Sequence, residues 1–98
     1  MIVIRDVFKL EFGKARDAQA AMREMRPLLE RLGMPGARVL TDLVGEYYTM
    51  VLETTAESLA AYESGMATLT QNDEWQRLYA RFVPLVRHGY REILRTVE

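Results

Sequence analysis

The hydrophobic pattern changes period between Phe12 and Ala15, and that change constrains the fold more than any other feature of the chain. From Ile2 to Phe12 the even positions read Ile2, Ile4, Asp6, Phe8, Leu10 and Phe12, against Val3, Arg5, Val7, Lys9 and Glu11. Alternation rich in β-branched and aromatic residues predicts a strand with one dominant apolar face. Gly13 ends it. Ala15, Ala18, Met22, Met25, Leu29 and Leu32 then recur at steps of three and four, with Ala21 and Leu28 widening the stripe. That is the pattern of a helix with one face on a core. Pro27 falls inside it and lacks a backbone donor, so a kink or a restart is expected there. A coiled coil is the other use of such a stripe, but the run is too short for one.

Gly33, Pro35 and Gly36 close the helix and begin a turn. Two strands are expected next, Ala37 to Val44 and Glu46 to Thr54, joined tightly at Gly45 as an antiparallel hairpin. The second would carry Tyr48, Met50 and Leu52 on one face and Tyr47, Thr49 and Val51 on the other. Thr54 to Glu57 has the form of a capping box. The helix it would start has the stripe Leu59, Tyr62, Met66 and Leu69, weakened by Gly65. Asn72 is a good N-cap for a further short helix, and Asp73 and Glu74 suit the positive end of its dipole. Trp75, Leu78, Tyr79, Phe82 and Val86 line that helix, with Pro84 near its end. After His88 and Gly89, Tyr90 to Val97 alternates again as a last strand.

The order strand, helix, strand, strand, helix with a short extra helix, strand is the split βαβ pattern. It predicts an α+β, ferredoxin-like domain spanning 1–98, a four-stranded antiparallel sheet with helices on one face. The other face is expected to hold Tyr47, Val51, Ile93 and Val97 beside Val3 and Val7, with Arg5, Lys9 and Arg38 among them. One layer of helices covers one face only, so a homodimer packing sheet against sheet is expected; a monomer with a mixed open face is the alternative. At 98 residues a lone domain buries only about two-thirds of its unfolded surface, which also favours a partner.

Composition removes several function classes. There are 13 basic and 14 acidic residues for a net charge of −1, without the basic bias of a nucleic-acid binder or of a protein that sits on anionic membranes. With no cysteine and a single histidine, disulfides, thiolate sites and multi-histidine metal sites are excluded. No secretory segment and no membrane span can be read, so a soluble cytoplasmic protein is expected.

Element order, length and a sheet apolar on both faces resemble the dimeric α/β barrel superfamily. Asn72-Asp73-Glu74-Trp75 is similar to the acidic-then-tryptophan motif of NIPSNAP-like domains. Related families include small antibiotic-biosynthesis monooxygenases, haem-degrading monooxygenases, muconolactone isomerases and stress-responsive barrel proteins. The resemblance implies a fold and a pocket between sheet and helices, and leaves the reaction open.

Asp6 is the sharpest anomaly, a carboxylate on the apolar face between Ile4 and Phe8. Such a group must be hydrogen-bonded, paired or able to hold its proton. It is read as a pocket residue, a general base or orienting group, against the plainer reading of an ion pair with an arginine. His88 is the second catalytic candidate. Tyr48, Tyr62, Trp75 and Tyr79 are the candidate substrate-binding residues, each also explicable as core or core edge. In haem-degrading relatives a polar first-strand residue, a tryptophan and a histidine form the site, which Asp6, Trp75 and His88 resemble. Asp6 stands where those enzymes have asparagine, and the tryptophan-to-histidine spacing is longer here. Arg87, Arg91 and Arg95 are expected on one solvated or interface-rim face.

The expected function is therefore binding of a small hydrophobic molecule, with cofactor-independent oxygenation or isomerisation as the chemistry. A non-enzymatic stress-response or interaction domain is the alternative, and haem degradation a lesser one. No cofactor and no metal are assigned.

Overall fold

The computed structural model describes residues 1–98. Strand β1 (Ile2–Leu10) is followed by helix α1 (Ala15–Arg31), strands β2 (Arg38–Thr41) and β3 (Thr49–Ala56), and helices α2 (Leu59–Thr70) and α3 (Asp73–Phe82). A single 3-10 turn (Val83–Leu85) then leads into strand β4 (Val86–Arg95). The four strands form one antiparallel sheet in the order β2-β3-β1-β4. This is the ferredoxin-like α+β fold that the change of period predicts.

Ile4 and Leu10 of β1, Met50 and Leu52 of β3, and the buried stripes of all three helices share one core of 17 buried residues. The even positions of β1 therefore face the helices. Phe82, 1% exposed, closes the core beside Phe8, the two rings meeting edge-on with centroids 5.0 Å apart. Burial of one such side chain contributes about 1.5–3 kcal/mol.

Helix α1 runs through Pro27 as one element. A proline inside a helix costs about 3 kcal/mol. Leu28 and Leu29, each 2% exposed, follow it directly, and their burial offsets that cost at about 1.5–3 kcal/mol apiece. Arg26 Nε also ties the helix to the Ala37 carbonyl at 3.0 Å. Packing overrides the local preference for a break.

Several boundaries differ from the sequence expectation, each for a local reason. β2 is short and the hairpin loop covers 42–48, because Asp42 Oδ1 accepts from the Thr49 amide and Tyr48 turns the chain with φ +59°. Tyr47 thus lies outside the sheet. The Thr54-x-x-Glu57 capping box does not form, because β3 stays paired with β1 as far as Ala56. Ser58 caps α2 instead, its hydroxyl accepting from the Ala61 amide at 3.1 Å. Asn72 caps α3 as expected, with its side-chain oxygen 2.9 Å from the Trp75 amide.

β4 begins at Val86, so His88 and Gly89 belong to the strand rather than preceding it. Its pairing with β1 shifts between Lys9 and Leu10, which face His88 and Val86, leaving Arg87 as the extra residue of a bulge. The register beyond the bulge sets Ile93 opposite Ile4, on the helix side, while Tyr90 and Leu94 stand on the open face opposite Val7 and Val3. Val97 lies past the strand and is almost fully exposed. The open face thus differs from expectation in composition. Val7 and Val51 are already buried there, and Leu40, Tyr90 and Leu94 remain exposed. Arg5 bridges Glu53 and Glu92, and Arg38 pairs with Glu53, so charge and apolar surface alternate across it.

Candidate functional site

Strand parity places Asp6 on the helix side at the middle of β1, directly opposite Arg91 of β4. Arg91 Nε donates to Asp6 Oδ1, forming an ion pair with side chains 16% exposed at Asp6 and 46% at Arg91. The expectation of an arginine partner for Asp6 is met. The expected grouping of Arg91 with Arg87 and Arg95 is met only in part, because the pairing register turns Arg91 and Arg95 to the helix side and leaves Arg87 in the bulge.

The pair is not sealed in the core. Asp6 and Arg91 stand in the wall of a cavity of about 380 Å³ between the sheet and helices α1, α2 and α3. Most of the wall is apolar: Phe8, Met25, Leu52, Met66 and Leu69 contribute to it. A few convergent polar groups on an apolar wall, at this volume, is the usual constitution of a small-molecule site. Trp75 and Tyr79, one turn apart on α3, stack with centroids 6.1 Å apart and an interplanar angle of 24°, forming an aromatic wall.

Tyr62 comes from the middle of α2. Its ring lies under the Arg91 guanidinium, 5.7 Å from centroid to Cζ, within reach of a cation–π attraction. Its hydroxyl is buried and makes no hydrogen bond within the protein. Burial raises the Tyr62 hydroxyl above its ordinary 10.0, opposed by the charge of Arg91 and reinforced by that of Asp6. Burial works against the Arg91 charge, yet the hydrogen bond and charge of Asp6 prevail, and its pKa is raised. Both groups are proton donors across the neutral range.

The structure thus brings Asp6, Tyr62, Trp75 and Tyr79 around one cavity. It does not bring His88 or Tyr48 there. His88 is exposed and pairs with Lys9, whose ammonium bonds Glu46 and Thr49 on the open face, so the sheet lies between this imidazole and Asp6. The catalytic assignment of His88 beside Asp6 is corrected on that ground. Asp6, Trp75 and His88 do not assemble, and the side chains present do not fit a histidine-ligated haem. Tyr48 packs edge-on against Phe12 at 4.8 Å, held away from the cavity by its left-handed backbone. No group of three His, Cys, Asp or Glu residues could hold a metal ion. No helix is long and apolar enough to cross a membrane.

Arg91 is the principal residue that sequence reasoning missed. Its place follows from the pairing of the first and last strands, which sets it opposite Asp6 as it sets Glu92 opposite Arg5. Thr54, 3% exposed, is another: the capping-box pattern hid a polar residue of the cavity wall.

Comparison with known proteins agrees with this architecture. Among solved structures, an uncharacterised NIPSNAP domain protein from Burkholderia xenovorans superposes with a TM-score of 0.86 at 18% identity, covering 99% of this chain and 95% of that one. A NIPSNAP family protein from Agrobacterium tumefaciens gives 0.90 at 16% identity, covering 99% and 86%. A candidate antibiotic biosynthesis monooxygenase from Bordetella bronchiseptica gives 0.80 at 16% identity, covering 99% and 97%. At these identities the likeness shows the fold alone. No curated protein matches the sequence. The family model described as NIPSNAP matches residues 4–98, and the chain belongs to the NIPSNAP family.

Proposed function

We propose that this chain binds a small hydrophobic molecule in the cavity bounded by Asp6, Tyr62, Trp75 and Arg91. The carrying observation is Tyr62, which lines a cavity of ligand size and holds a buried hydroxyl without a partner. A buried unpaired hydroxyl costs about 1–3 kcal/mol, and a fold keeps such a cost most readily where a bound molecule removes it. The chemistry that suits the site is cofactor-independent: proton transfer on, or oxygenation of, the bound molecule. Asp6 would orient the substrate or accept its proton through the oxygen not engaged by Arg91, with Tyr62 and Arg91 as donors to developing negative charge. The monooxygenase naming of neighbours with this fold supports oxygenation.

The test is thermal stabilisation of the protein by a panel of small aromatic compounds, repeated with Met66→Trp, which narrows the cavity. Stabilisation of the parent and its loss in the variant support the reading; no response from any compound refutes it.

The Asp6–Arg91 pair also favours a second reading, a non-enzymatic interaction domain in which the pair is purely structural. In that case the Met66→Trp variant would be as stable as the parent and keep every partner of the protein.

We further propose a homodimer through the open sheet face, supported by exposed Leu40, Tyr90 and Leu94 between paired charges. Light scattering coupled to size-exclusion chromatography tests it. A monomeric mass at tens of micromolar protein would overturn it.

A further inference from the structure

The polar end of the cavity has an asymmetry that bears on what it binds. Tyr62 presents an O–H with no partner. Arg91 spends Nε on Asp6, and its two terminal NH2 groups take part in no other ion pair. Tyr62 and Arg91 thus leave donors over, whose complement is an acceptor oxygen, while Asp6 leaves one carboxylate oxygen not engaged by Arg91. Charge then narrows the class further. Asp6 and Arg91 together sum to zero, and Asp6 stands in the same wall. A ligand carboxylate drawn into this apolar cavity would lose its hydration and lie near the Asp6 carboxylate, with no uncompensated cation to receive it. An uncharged carbonyl needs no counter-charge and still takes the bond from Tyr62.

We infer that the site selects uncharged, apolar molecules bearing a carbonyl oxygen, that Tyr62 and Arg91 are its specificity-determining donors, and that it discriminates against the matching carboxylic acids. This rests on the cavity being the ligand site. Tyr62 acts directly on the bound oxygen. Asp6 acts by neutralising Arg91 and is in this respect a positioning residue for the guanidinium. The low polarity of the wall strengthens a hydrogen bond that water would otherwise compete with, and the hydroxyl, already unpaired in the free protein, gives up no other bond to form it.

Three ligands of nearly equal shape separate the alternatives: benzylacetone, with a neutral carbonyl; hydrocinnamate, with a carboxylate; and isopentylbenzene, with neither. Trp75 is the only tryptophan of the chain and stands in the cavity wall, so its fluorescence reports binding of each. Benzylacetone is expected to bind at least about 5- to 10-fold more tightly than the other two at neutral pH. In Tyr62→Phe that preference over isopentylbenzene should fall to about 2-fold or less. Equal binding of the ketone and the hydrocarbon by the parent protein would overturn the inference while leaving the cavity reading intact. Tightest binding of hydrocinnamate would overturn it in favour of an anion site. Failure of all three to bind, by fluorescence and by calorimetry, would remove the cavity reading itself.

Discussion

Tyr62→Phe should make the unliganded protein more stable, although it deletes a polar group from the candidate site. The hydroxyl is buried and unbonded, and such groups cost about 1–3 kcal/mol. Phenylalanine keeps the ring, which is 7% exposed, and keeps its face toward Arg91. The loss is one oxygen's worth of packing against neighbours, a fraction of a kcal/mol. The balance is a gain of about 1 kcal/mol, which for a domain this size raises Tm by roughly 4–8 °C. Circular dichroism melts and urea titrations at pH 7 measure it, with an unchanged urea slope showing that the folded and unfolded states keep their compactness. The pH dependence provides an independent check. Because burial raises the Tyr62 hydroxyl, the folded state holds that proton more tightly than the unfolded state. Stability is unaffected by this group below 10.0 and falls as pH rises from there through the folded value. The parent should therefore lose more stability than Tyr62→Phe on going to strongly alkaline pH. A variant less stable than the parent at pH 7 would refute the reasoning, since the hydroxyl would then be bonded and not waiting for an acceptor.

Other perturbations have expected outcomes of similar sharpness. Asp6→Asn should destabilise by about 1–3 kcal/mol in urea titration, between the values for exposed and buried pairs, because Asp6 is mostly covered and Arg91 half-exposed. Gly89→Ala would set a Cβ 2.5 Å from the Val7 carbonyl oxygen, a backbone atom that cannot yield cheaply, so a loss of about 1–3 kcal/mol is expected. Asn72→Ala removes the acceptor for the Trp75 amide and should cost about 1 kcal/mol, with a change in Trp75 fluorescence as the first turn of α3 frays.

Asp6, Tyr62, Trp75 and Tyr79 could be read from the sequence because each sits on an element whose period is plain. Parity on β1 and the stripes of α2 and α3 fix their sides, and the fold order brings those sides together. Arg91 and His88 could not be placed that way. Their sides depend on how β4 is registered against β1, and one inserted residue at the bulge decides it. A period-two pattern interrupted by Gly89 carries no mark of that insertion. Tyr48 failed for a different reason, since a left-handed backbone at an aromatic residue is imposed by the hairpin loop and not by local preference. Thr54 shows the limit of a motif. Its capping box is real as a pattern, but two more residues of pairing to β1 outcompeted it.

The strand order gives β4 a consequence of its own. It is the long edge of the sheet, with one side hydrogen-bonded to β1 and the other carrying free amide and carbonyl groups along ten residues. An uncovered edge of that length is a template for fibrous association. Arg87, Arg91 and Arg95 recur along it at every fourth position. A second β4 laid alongside would bring Arg87 and Arg95 of the two copies together, since Arg91 is already paired with Asp6 and Glu92 with Arg5. Edge-to-edge growth is thereby discouraged, which leaves the flat of the sheet free for the proposed homodimer.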